Sequence, residues 1–104
     1  MPATVTKNFE FSASLSQGKK VLGHNYILRA TFEASDLSAE NGLAEKIEKT
    51  LIEKVHSRDL GETNDLALLK DFWGVVTQAT RPAKLLSLCL ERDRRTQWTF
   101  TNPG

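Results

Sequence analysis

Few side chains in this 104-residue chain are of the kind that do chemistry: His24, His56, Asp59, Cys89 and Glu91, with the basic run Arg92-Asp93-Arg94-Arg95 beside the last. Cys89 is the only cysteine, so an intrachain disulfide framework and every multi-cysteine metal site are excluded. It stands in a strand-like stretch, Leu88-Cys89-Leu90, where a thiol packs as a small hydrophobe. Asp59 precedes Gly61 by two positions, the spacing of a cap or turn carboxylate. Glu91, next to Arg92, Arg94 and Arg95, has the setting of a strand-end charge. The Arg92–Arg95 run suits a phosphate or, more simply, a hairpin turn with basic ends. His56 falls one position past Val55, on the solvated flank of a helix.

The elements that must position these groups follow from periodicity. Phe9, Phe11, Ala13 and Leu15 alternate with Glu10, Ser12 and Ser14, the period of a half-buried strand. Gln17 to Gly23, with two glycines and two lysines, is expected to be a hairpin loop. A second strand over Tyr26 to Ala34 puts Tyr26, Leu28, Ala30 and Phe32 on one face. Leu43, Ile47, Leu51 and Val55 then recur at four-residue steps and predict a helix, with the charges of Glu45 to Lys54 on its solvated surface and Gly61 as its stop signal. A second helix is expected from Leu66, Leu69, Trp73 and Val76, capped by Asn64 or Asp65 and ending before Pro82. Phe72 and Trp73 belong to its core or to an interface before they belong to a stacking platform. After Pro82, Leu86, Leu88 and Leu90 oppose Leu85, Ser87, Cys89 and Glu91. Asp93 to Arg95 is the polar turn, and Trp98 and Phe100 carry the alternation into a fourth strand.

The order ββααββ describes one α+β domain over residues 1–104, a four-stranded antiparallel sheet with two helices on one face. The other face, carrying Glu10, Ser12, Arg29, Thr31, Glu33, Ser87, Glu91 and Thr99, is polar, so it is solvated or turned inward in an assembly. Fourteen Lys and Arg against thirteen Asp and Glu leave a formal net charge of +1, which supplies no field for nucleic acid or a membrane surface. The start, MPATVTKNFEF, lacks the apolar core of a signal peptide, and no eighteen apolar residues run together. With its single cysteine, the chain is expected in the cytoplasm.

Taken together, these residues resemble a family. FEFSASL at Phe9 to Leu15, then GKKVLGHNY at Gly18 to Tyr26, is similar to the opening of the 6-pyruvoyl-tetrahydropterin and 6-carboxy-tetrahydropterin synthases, which read FSAAH and then C-x-x-x-H-G-H-N-Y. Gly42-Leu43, RDLGETN at Arg58 to Asn64 and LCLERD at Leu88 to Asp93 resemble further family motifs in the same order along nearly the whole chain. The resemblance implies the tunnelling fold, whose units join through their sheets into a closed barrel with pterin or purine ligands between subunits. A symmetric homo-oligomer is therefore expected as the partner, and it would also pair the open sheet edges.

The resemblance carries a zinc-dependent lyase chemistry whose parts are largely missing here. Of the three histidines that hold zinc in the family, two fall on Leu15 and Leu22, and His24 alone remains. Zinc needs nitrogen, sulfur or oxygen donors, so no metal and no cofactor is expected. The family's cysteine falls on Gly18 and the histidine of its Asp-His pair on Leu60, which leaves Asp59 as a relic with no imidazole to orient. Glu91 matches the carboxylate that takes two adjacent N–H donors of the pterin ring, so it is either the ligand anchor or the strand-end charge. The expected function is a catalytically silent, pterin- or purine-binding oligomer. The alternatives are an active enzyme of pterin or queuosine-precursor metabolism that combines His24, Asp59 and Glu91 with a replacement site, and a structural partner subunit without ligand.

Overall fold

The computed structural model describes residues 3–34 and 42–102. Two strands of fifteen residues, β1 (Ala3–Gln17) and β2 (Lys20–Ala34), pair antiparallel over their full length, from Ala3 opposite Ala34 to Gln17 opposite Lys20. At about 3.3 Å per residue such a hairpin is roughly 50 Å long, and the molecule measures 50 × 25 × 21 Å. Both strands outrun the expected bounds. The segment expected as a loop, Gln17 to Gly23, closes through Gly18 and Lys19 alone, because Gly18 takes the left-handed φ of 63° that a tight turn demands. Val21 to Asn25 are therefore strand, in register with Ser16 to Ser12.

The first helical stretch is α1 (Leu43–Ile47), a π-helical segment (Glu48–Ile52) and α2 (Glu53–Val55) in succession. Four-residue spacing overshoots an α-turn of 3.6 residues by about 40° per step, so a purely α-helical rod would swing Val55 away from the face of Leu43. The wider π-turn returns the drift. Leu43, Ile47, Leu51 and Val55 are all buried as a result. This helix ends not at Gly61 but at Val55, where Ser57 turns the chain with φ 58°.

The chain then forms β3 (Arg58–Glu62), parallel to β1, which no periodicity announced. It is short and lies at an edge, so it has no alternating buried set. Gly61, with φ 79°, sits where the β1–β3 register slips between Ser14 and Ser16. Next come α3 (Asp65–Ala79), β4 (Leu85–Arg92) and β5 (Thr96–Thr101). The sheet is five-stranded and mixed, in the order β3-β1-β2-β4-β5, rather than four-stranded and antiparallel.

Asn64 caps α3, its side-chain oxygen accepting from the N–H of Ala67 at 2.9 Å. The fully buried face of α3 includes Leu69 and Val76, as the spacing suggested, together with Leu68 and Phe72, while Leu66 is half-buried. Trp73 packs half-buried against the core and meets Phe100 of β5 edge-on. A register shift between Thr31 and Phe32 puts Leu85 rather than Leu86 in the core with Leu88 and Leu90. Both helical stretches cover the face made by Phe9, Phe11, Tyr26, Leu28, Phe32 and Leu88. No helix among the described residues is long and apolar enough to cross a membrane.

Candidate functional site

Leu15 and Leu22 are direct cross-strand partners, and His24, opposite Ala13, lies two residues along β2 on the same face. The three positions that hold zinc in the resembled family are thus neighbours in space. Their donor set does not fit the ion: two alkyl chains and one imidazole supply a single nitrogen atom where three protein ligands are needed. The His24 Nδ1 is also engaged, 2.6 Å from Oδ2 of Asp93. Among the described residues no three His, Cys, Asp or Glu side chains group as metal ligands do.

Asp93 is the hub of this corner. It stands at the β4–β5 turn with φ 52°, a conformation aspartate tolerates better than most residues, and Arg94 follows with φ 61°. The Asn25 N–H donates to Asp93 Oδ1 at 2.8 Å, while the Asp93 N–H donates to the Asn25 carbonyl at 2.7 Å. The Asn25 N–H and then the His24 imidazole hold the Asp93 carboxyl below the usual carboxylate range, against the opposing effect of burial. His24 Nε2 is buried with no hydrogen-bond partner among the described residues.

Beside this corner lies a cavity of about 620 Å³ lined by Glu10, Ser12, Asn25, His56, Glu91 and Asp93, with Tyr26 and Phe11 also in its wall. Glu10, Ile27 and Glu91 form one rung across β1, β2 and β4. The Glu91 side chain is 18% exposed, and its Oε1 accepts from Arg29 Nη1 at 3.2 Å. Strand pairing alone brings these groups together, since Arg29 lies opposite Cys89, next but one to Glu91. Cys89 itself is buried, between Arg29 and Thr99.

His56 is exposed, as expected of a solvated flank, and it also borders this cavity. Ser12 donates its N–H to His56 Nδ1 at 3.2 Å, and its carbonyl accepts from the Ser57 N–H at 2.6 Å, so the turn after α2 docks its imidazole at the cavity. Asp59 goes elsewhere. Its Oδ1 accepts from the Gly61 N–H at 2.9 Å, and it lines a second cavity of about 520 Å³ with His24, Ser57 and Arg58. Ser12 and Asn25 border both cavities. The structure therefore separates Glu91 from Asp59 and gives Glu91 a different companion, His56.

Beneath the first cavity a buried polar chain fixes its wall. Tyr26 stacks on Phe11 with ring centroids 5.1 Å apart and donates its hydroxyl to Asp65 Oδ1 at 3.1 Å. Asp65 Oδ2 lies 3.2 Å from Arg92 Nη1, and Arg92 Nη2 donates to Thr96 Oγ1 at 3.2 Å. Burial, reinforced by the Asp65 carboxylate, pushes the Tyr26 hydroxyl well above the ordinary tyrosine range. Sequence reasoning placed Tyr26 in the core and missed its partner, and it missed His56 and Asp93 as site residues. The signal for Asp93 was the turn it occupies, where a short carboxylate reaches backbone N–H groups. For His56 no local signal exists, since its partner lies 44 residues away.

No protein-family model matches the sequence, and no curated protein matches it significantly. Solved structures do match the fold. An uncharacterised protein from Wolinella succinogenes superposes with a TM-score of 0.65 at 8% identity, over 98% of this chain and 99% of that one. A catalytic-residue mutant of the Plasmodium vivax 6-pyruvoyltetrahydropterin synthase superposes with a TM-score of 0.60 at 9% identity, over 98% of each chain. The class is thus an α+β fold of the tetrahydropterin synthase kind, two helical stretches on a five-stranded mixed sheet.

Proposed function

We propose that this chain is a tetrahydropterin-synthase-like protein that binds a flat, donor-bearing heterocycle of pterin or purine type against Glu91 and does not perform the family's zinc chemistry. The observation that carries the reading is the Glu91 carboxylate, mostly withdrawn from water in the wall of a 620 Å³ cavity. A carboxylate removed from water is costly unless it is paired, and Arg29 engages one of its oxygens. Two adjacent ring N–H donors complete or replace that pairing with charge-assisted bonds. Leu15 and Leu22 support the zinc-free part, because neither offers a lone pair where a ligand nitrogen is needed.

The protein works as a symmetric homo-oligomer in a reducing compartment. β3 and β5 are open edges of the sheet, and Val21, Leu22 and Trp98 are exposed on β2 and β5, surface that sheet-to-sheet assembly would cover. Light scattering at low micromolar concentration tests the assembly, and a stable monomer of 11.6 kDa would reject it. Calorimetric titration with neopterin and guanosine tests the binding. Measurable affinity that drops in Glu91→Gln supports the reading, and equal affinity of the two proteins rejects it.

A second reading, an active enzyme with an unconventional site, is favoured by one feature. His24 held by Asp93 at 2.6 Å is an imidazole oriented by a carboxylate, the pairing that general bases use. Turnover of a dihydropterin that is lost in His24→Gln would put this reading first.

A further inference from the structure

The groups around the Glu91 cavity differ in how far they are already used. Asp93 is satisfied by Asn25 and His24, and one oxygen of Glu91 by Arg29. His56 is half used. Its Nδ1 accepts the Ser12 N–H, which is possible only if that nitrogen carries a lone pair, so the proton of the neutral ring sits on Nε2. Nε2 has no hydrogen-bond partner among the described residues, and the ring lines the cavity. A backbone amide thus fixes the tautomer and leaves an N–H donor on a ring that borders the cavity Glu91 also lines.

The charges set a second condition. Glu10, Glu91 and Asp93 bring three carboxylates to the cavity wall, against the guanidinium of Arg94 in the wall and that of Arg29 on Glu91. The lining is acidic on balance, and it repels an anionic ligand or substituent while accepting a neutral one that is rich in donors.

Resting on the proposed Glu91 site, we infer that His56 is its second ligand-contacting residue and that the ligand is an unphosphorylated amino-oxo heterocycle. Glu91 takes the ring's N–H donors, and His56 Nε2–H donates to a ring or side-chain oxygen. Meeting both the His56 donor and the Glu91 acceptor discriminates a ring that carries both functions from one that carries either alone.

The test uses the full-length protein, with guanosine, neopterin and GTP as probes in calorimetric titration, and two substitutions that separate the two ring nitrogens. In His56→Asn the side-chain oxygen can stand where Nδ1 stands and keep the Ser12 N–H satisfied, but the distal donor is gone. In His56→Gln the amide NH2 reaches the place of Nε2–H, and the tie to Ser12 is lost. The expected result is guanosine or neopterin bound at least tenfold more tightly than GTP by the wild type. Affinity should then be about tenfold weaker in His56→Asn at an unchanged melting temperature, with partial recovery in His56→Gln. Undiminished binding by His56→Asn, with Glu91→Gln still impaired, would overturn the role of His56 and leave the Glu91 site standing. GTP bound as tightly as guanosine would overturn the unphosphorylated class. Binding of none of the three probes by the wild type would remove the Glu91 site, and this inference with it.

Discussion

The two cavities on either side of the Ser12–Asn25 pair are built from the same two strands and differ in how their polar atoms are used. In the one lined by His24 and Asp59, the carboxylate is turned onto its own chain at Gly61, the imidazole is tied to Asp93, and the neighbouring cross-strand pair is Leu15 and Leu22. In the one lined by Glu91 and His56, each group keeps an atom with no partner among the described residues facing a shared space. The first cavity has turned its carboxylate onto the fold and keeps only His24 Nε2 without a partner among the described residues, whereas the second keeps open atoms on both Glu91 and His56. Partners left open at a partly buried carboxylate are a better guide to a binding site than the ancestry of the residues around it, because an unsatisfied polar atom costs free energy that only a ligand or water recovers.

The largest expected effect breaks the wall that the Glu91 cavity stands on. Asp65→Ala leaves the Tyr26 hydroxyl and the Arg92 guanidinium without their common partner, and is expected to cost about 2–3 kcal/mol, a discount on the full cost of a buried pair because Arg92 is partly exposed. A melt would then fall by roughly 10 °C or more, and a fall of only a degree or two would show that the chain Tyr26–Asp65–Arg92 is dispensable. Next, Glu91→Gln keeps the shape but presents an NH2 group to a donor edge, so affinity for neopterin or guanosine should fall by roughly ten- to hundredfold, about 1.5–3 kcal/mol. The apo melting temperature should barely move. Asp59→Asn in the other cavity is the control on the comparison and should leave affinity unchanged.

The comparison is sharpened by restoring donors to the cavity lined by His24 and Asp59. Leu15→His with Leu22→His places three imidazoles on one face of the β1–β2 hairpin, and zinc content by elemental analysis should rise toward one per chain. Unchanged uptake would mean that the Asp93 contact or the local backbone prevents His24 from serving as a ligand.

Two smaller effects concern pH. The folded state holds the Tyr26 hydroxyl above its ordinary range, so its contribution is complete below the unfolded tyrosine value of about 10 and is lost as pH rises beyond it. The wild-type melting temperature should drop across that alkaline limb more steeply than that of Tyr26→Phe, and parallel curves would remove Tyr26 as the cause. Asp93 is shifted the other way. Its contribution is present above the unfolded carboxyl value of about 4 and is lost as pH falls through the lower folded value. In Asp93→Asn the acid limb of the melting curve should be shallower, and the effect small because the side chain is 38% exposed.

Much of the fold was legible because it rests on local period. Phe9, Phe11, Ala13 and Leu15, and likewise Tyr26, Leu28, Ala30 and Phe32, are buried as their alternation required. Leu43, Ile47, Leu51 and Val55 are buried too, although by way of a π-turn that a four-residue repeat hints at but does not spell out. The misses have physical causes. β3 carries no alternation because it is a short edge strand held by backbone pairing with β1, and the Leu85–Leu86 choice turned on a register slip in β2–β4 that leaves no mark in the hydrophobic pattern. The loop expected at Gln17 to Gly23 was too long because strand pairing outweighs the low β-propensity of glycine and lysine once a hairpin is closed by a single Gly-Lys turn.

The sequence by itself determined the α+β class of the fold: one core face, two helical stretches, a polar opposite face with Glu91 on it, and alkyl side chains at Leu15 and Leu22. Each of these is a property of residue type or of spacing within one element, which a chain carries before it folds. Only the tertiary structure decided which groups share a cavity. His56 reaches Ser12 across 44 positions and His24 reaches Asp93 across 69, distances in sequence over which no periodicity extends. Those pairs depend on strand order and register, and register is set by the burial of all the core residues at once.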